Sequence, residues 1–183
     1  MTGLQIASDL QEVENRYKVD LGFRAGGNLA ADDGLYPQFE RAVRAEAAEM
    51  ASHYEAFYCL EKSIRKLITE AMEEAVGNNW WESGKIPPGV VTEVQTRIQK
   101  EIDSGVSRRS MDKLDYTTFG ELATIITSNW DIFGSVFSSR RAVEKVLSNL
   151  NTLRNPIAHC SRLSEDEVIR LQLTVRDWFR TMQ

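Results

Sequence analysis

The sequence predicts an all-α fold: an antiparallel helical bundle with a long first core helix, preceded by an N-terminal arm. Three observations carry this. Apolar residues recur at three-, four- and seven-residue steps through most of the chain. Capping-box spacings stand at Thr118–Glu121 and Ser164–Glu167. No strand-like alternation flanked by tight hairpin turns occurs. The 183 residues are 42% hydrophobic and 27% charged, enough for one substantial core without disulfides or metals.

The elements follow in order. Residues 1–36 read as an arm, in which Leu10, Val13 and Tyr17 mark one side of a short helix and the glycines between Gly22 and Gly34 form a linker. The bundle is expected over residues 37–183, opening at Pro37. From Gln38 to Val76 the stripe Phe39, Val43, Met50, Tyr54, Phe57, Ile64, Leu67/Ile68 and Met72 predicts one helix of nearly forty residues, stopped by Gly77-Asn78. Trp80-Trp81 fall in a loop ending at Pro87-Pro88, and a helix follows from Val90 to Ile102, closed by Gly105. Residues 104–112, with Arg108-Arg109, form a polar connection. Thr118 opens a helix that buries Leu122, Ile125 and Ile126, and Asn129–Phe133 makes an aromatic turn or short helix. Ser139 caps the next helix, with Val143, Val146/Leu147, Leu150 and Leu153 inside. Ser164 opens the last, with Val168, Leu171, Val175 and Trp178 inside.

Composition narrows the function. No apolar run approaches the roughly 18–20 residues of a membrane span, and the first residues lack the basic and apolar regions of a signal peptide. A soluble, cytoplasmic protein is expected. Cys59, Cys160, His53 and His159 are scattered, so no structural zinc site is expected, nor any cofactor. Residues 1–103 carry 11 Lys/Arg against 18 Asp/Glu, and residues 104–183 carry 11 against 9. Nucleic acid is therefore expected to be met only locally, through the second half.

One segment looks chemical: Leu153-Arg154-Asn155-Pro156-Ile157-Ala158-His159-Cys160-Ser161-Arg162. Leu153 and Ile157 continue the apolar stripe, while Asn155 and His159, four apart, share a helical face. Pro156 has no N–H for the Thr152 carbonyl and is expected to kink the helix or start a new turn. An imidazole is a base near neutral pH, and a guanidinium stabilises phosphorane charge without a metal. That set suits cleavage of RNA by its own 2′-hydroxyl, with Asn155 orienting the imidazole or a phosphate oxygen. The bland alternative is dipole compensation and capping at a helix C-terminus. Spacing alone leaves both open.

Arg154-Asn155-Pro156-Ile157-Ala158-His159 resembles the Arg-Asn-x3-His motif of HEPN (higher eukaryote and prokaryote nucleotide-binding) domains. Leu114–Leu122, Ile125-Ile126, Asn129–Phe133, Ser161–Ser164, Glu61–Ile68 and Trp80-Trp81 are similar to one branch. That branch is the HEPN domain at the C-terminus of a PIN-containing nuclear mRNA-surveillance endoribonuclease, and its bacterial relatives. The resemblance covers about residues 40–180. It implies an antiparallel bundle that dimerises about a two-fold axis, pooling two Arg/His pairs in one cleft. It further implies a metal-independent endoribonuclease, of the kind used as toxins or phage-defence effectors. His159 would be the base, Arg154 the transition-state stabiliser and Asn155 a positioning group. Arg162, Arg108 and Arg109 are expected to flank the RNA. The expected partners are RNA, a second copy of the chain, and a cognate antitoxin or a larger multidomain protein. Ser161 stands where one subgroup carries an AMPylated Tyr, which argues against that control. The alternative is a non-catalytic HEPN module for dimerisation and RNA recruitment within a larger protein.

Overall fold

The computed structural model describes residues 38–182. The expected arm, with Leu10, Val13 and Tyr17, lies outside the described residues. The chain divides into two units, Met1–Glu49 and Met50–Gln183.

Six α-helices and two 3₁₀ turns, with no strand among the described residues, make an all-α bundle. They are α1 (Arg41–Val76), a 3₁₀ turn (Trp80–Glu82), α2 (Pro88–Asp103) and a second 3₁₀ turn (Lys113–Tyr116). Then come α3 (Phe119–Ser128), α4 (Trp130–Phe133), α5 (Arg140–Ala158) and α6 (Glu165–Arg180). The predicted stops and starts are chemically explicit. Gly77 and Gly105, at φ +92° and +68°, take the left-handed conformation that ends α1 and α2. Both capping boxes form: the Thr118 and Ser164 hydroxyls accept from the amides of Glu121 and Glu167, whose carboxylates accept in return.

α5 packs on both α3 and α6. Its stripe Val143, Val146, Leu147, Leu150 and Leu153 is buried, against Phe119, Leu122, Ile125 and Ile126 of α3 and Leu171 and Trp178 of α6. Each such side chain taken fully from water is worth about 1.5–3 kcal/mol. α1 contributes Phe57, Leu60, Ile64, Ile68 and Met72 to the same core. Phe57 meets Phe119 edge-on at 6.4 Å, and Trp130, Phe137 and Trp178 form an aromatic run. The tryptophans act as anchors: Trp80 and Trp178 are buried, while Trp81 and Trp130 pack against the core. Asn129 is a buried amide whose NH₂ donates to the Ile125 and Lys85 carbonyls, satisfying the end of α3 and tying down the loop before α2.

One expectation needs correcting, and a second is narrowed. The predicted stripe of α1 is buried only from Phe57 onward; Phe39, Val43 and Tyr54 are exposed and Met50 is partly buried. Val43, Met50 and Tyr54 keep the helical register of Ile64 and Ile68, while Phe39 precedes α1, and the core cluster begins at Phe57. Pro156, for its part, starts no new turn, since α5 runs through it to Ala158. Thr152, whose carbonyl loses its amide partner, is exposed to water, and Ile157 keeps the last turn against the core.

Candidate active site

The last turn of α5 carries Arg154, Asn155 and, as its cap, His159. The helix ends in a Schellman arrangement. The Ser161 amide donates to the Pro156 carbonyl at 2.8 Å, and the Cys160 amide to Ile157 at 3.4 Å. Cys160 occupies the left-handed position at φ +54°, the one non-glycine residue with positive φ among those described. His159 keeps φ −107° and ψ 22°, and its amide donates to the Asn155 and Pro156 carbonyls. The tight cap turns the chain away and leaves the side chains of Asn155 and His159 exposed on one face.

Arg154 faces elsewhere. Five residues along a helix turn through 3.6 residues per revolution to an offset of roughly 140°, so Arg154 leans toward α1 instead. There its Nε donates to Glu61 Oε2 at 3.3 Å. Glu61 also pairs with Arg65 one turn on. Arg65 donates in addition to the Leu114 carbonyl and to the Thr117 hydroxyl and carbonyl, at 2.6 and 2.9 Å for Thr117. Glu61 thus stands between two guanidiniums. Its own side chain is 20% exposed, that of Arg65 11% and that of Arg154 35%.

Beside this clamp lies a cavity of about 340 Å³, lined by Tyr54, Phe57 and Tyr58 of α1, by Glu61, Lys62 and Arg65, and by Arg109, Asp115, Arg154, Ile157 and Ala158. Four cations face two carboxylates there, so the lining is net basic. Of the predicted flanking arginines, Arg109 joins Arg154 in the lining. It is held by Glu101, which accepts from both its amide and its Nε, and its guanidinium lies 4.9 Å over the Tyr116 ring. The buried Tyr116 hydroxyl donates to the same Glu101 at 3.0 Å. Burial pushes the Glu101 carboxyl upward, but the hydrogen bonds from Arg109 and Tyr116 and the Arg109 charge together hold it below its usual value. Arg108 and Arg162 are exposed, and neither lines the cavity. Asn155 and His159 stand outside its lining too. His53, on α1, is half-buried.

Motif spacing pointed to Arg154 but not to Glu61, which lies 93 positions upstream. Its signal was the similarity of the Glu61–Ile68 stretch to one HEPN branch. Among the described residues no three His, Cys, Asp or Glu gather as metal ligands, and no helix is long and apolar enough to cross a membrane. Residues 55–183 match the family described as Swt1-like HEPN. No curated protein and no solved structure matches the chain. That match takes in most of α1, every later helix and the whole Arg154–His159 motif, so the chain belongs to the Swt1-like HEPN family.

Proposed function

We propose that the protein is a metal-independent endoribonuclease whose site is composed across a homodimer. Membership in an HEPN family supports an RNA-directed role. The observation that carries the finer reading is the last turn of α5, where an exposed imidazole and a carboxylate-clamped guanidinium flank one tight cap. His159 takes the proton of a 2′-hydroxyl; O2′ bonds to phosphorus, and the bond to O5′ breaks. The products are a 2′,3′-cyclic phosphate and a 5′-hydroxyl. Arg154 balances charge on the phosphorane, and Asn155, on the face of His159, orients the imidazole or a phosphate oxygen. The departing O5′ needs a proton, and acid and base are each worth about 10²–10⁴ in rate. A partner's copy of the motif across a two-fold axis supplies that second imidazole without further sequence. The divergence of His159 from its own Arg154 cavity fits such pooling. A toxin or defence role is one setting for this activity, with an antitoxin or a larger protein holding it in check.

The second reading, a non-catalytic module, is favoured by the clamp itself. Glu61 engages Arg154 before any phosphate arrives, as a structural arginine would be engaged. Incubation with single-stranded RNA in EDTA separates the two. Cleavage to cyclic-phosphate ends, lost in His159→Ala at unchanged helicity, is the expected result. Intact RNA with wild-type protein would leave only the module.

A further inference from the structure

Tyr54, Tyr58, Glu61 and Arg65 follow one another at steps of four, three and four residues, so they share one face of α1. Both tyrosines are more than half exposed, with ring centroids 6.3 Å apart and planes inclined by 36°. Both line the cavity that receives Arg154, and Phe57 and Ile157 add apolar wall. A volume of about 340 Å³ lies at the lower end of the roughly 300–1,000 Å³ of small-ligand sites. It has room for one base with its sugar, and none for a stack. At about 1.5 Å per residue, Tyr58 and Glu61 lie roughly 5 Å apart along the axis of α1. Aromatic faces and the clamped guanidinium are therefore separated much as a nucleobase is from its own phosphate.

We propose that this cavity is a nucleobase pocket. One unstacked base of single-stranded RNA packs on Tyr54 and Tyr58, while Arg154 and Arg109 take the adjoining phosphate and so fix the strand beside the motif. The pocket deepens the ribonuclease reading and rests on it. Stacking tolerates any base, because each has a π-face. A paired base is held in its duplex and cannot enter. The site therefore selects single strands by shape, independently of base-edge hydrogen bonds.

The test uses the full chain carrying His159→Ala, so that RNA is not consumed, with a short fluorescein-labelled single-stranded RNA in EDTA and anisotropy as readout. Loss of the stack in Tyr54→Ala/Tyr58→Ala should weaken binding about fivefold to hundredfold. Tyr54→Phe/Tyr58→Phe should stay within about twofold, since the rings remain. The unsubstituted tyrosines should likewise bind an abasic strand of the same length about fivefold or more weakly, a comparison that needs no altered pocket. The RNA annealed to its complement should bind less tightly than the single strand. Equal affinity of the Ala variant, or of the abasic strand, would overturn the pocket and leave RNA binding standing. A Phe variant as weak as the Ala variant would overturn stacking. If the Ala variant loses RNA only as sedimentation velocity shows it losing its partner, the tyrosines are a protein interface and the pocket is wrong. No RNA binding at all would remove the pocket and the ribonuclease reading together.

Discussion

A single carboxylate organises the site. Glu61 is largely buried between Arg65 and Arg154, and its removal leaves two guanidiniums facing each other with less water than they need. Breaking one partner out of a fully buried pair costs about 3–5 kcal/mol; with Arg154 a third exposed, about 1–3 kcal/mol is expected for Glu61→Gln. Urea unfolding should read that loss, and residual cleavage should fall with it. An unchanged midpoint would show that the clamp contributes nothing to the fold. Cys160 offers the opposite sign. A left-handed conformation costs an ordinary residue about 1–2 kcal/mol, only part of which glycine returns through its freer unfolded chain. Cys160→Gly should therefore stabilise the protein by about 0.5–1 kcal/mol, and Cys160→Val should destabilise it, measured by thermal melting. At this scale the motif was readable in the sequence because Arg154, Asn155 and His159 are chain neighbours. Glu61 was not, because pairing across 93 positions leaves no periodic trace. Lys62 and Arg65 were hidden by the net charge of the acidic half in which they lie, although they line the cavity.

Helix boundaries were the most legible elements, because their determinants are local. Thr118–Glu121 and Ser164–Glu167 close reciprocal bonds within four residues. What periodicity withheld was where a helix stops being covered: Val43 and Tyr54 keep the apolar register of α1, yet only tertiary neighbours decide burial. Pro156 starts no new turn for a related reason. A proline near a helix end removes one hydrogen bond, and packing of Ile157 keeps the turn regardless. Glu121 joins two elements as well as capping one, since Arg97 of α2 grips it with two bonds of 2.7 and 2.9 Å. Burial alone would raise its carboxyl, but the Arg97 and Thr118 hydrogen bonds and the Arg97 charge bring it below the ordinary 4.5. The unfolded chain then binds the proton first as pH falls. The stabilisation is complete above about 4.5 and disappears as pH drops through the lower folded value. Urea midpoints should decline across that window. Glu121→Gln should be less stable at neutral pH with a shallower acid decline, and an identical decline would assign acid sensitivity elsewhere.

The fold class was legible across the whole molecule; the assembly was not, because an isologous surface has no sequence signature of its own. Mixed dimers test it. Arg154→Ala and His159→Ala should each be inactive alone, whereas mixing them under exchange conditions should raise cleavage above either, to about 10²–10⁴ below wild type, since one composite site then keeps an intact Arg154 and one of its two imidazoles. Mixed dimers no more active than either parent, with exchange verified and the assay able to read about 10⁴-fold below wild type, would overturn a site that pairs Arg154 of one protomer with His159 of the other. RNA binding should fall steeply with salt as counterions leave the RNA, read by anisotropy across a salt series; a salt-insensitive affinity would argue against phosphate contacts. The tryptophans have an optical consequence. Trp80 and Trp178 are buried and Trp81 and Trp130 pack on the core, while none of the four lines the Arg154 cavity. Indole emission is thus a gauge of the bundle's integrity, largely blind to what occupies the cavity, whereas the phenols of Tyr54 and Tyr58 sit where a ligand would quench them. One protein carries two separate optical reporters, one for folding and one for occupancy.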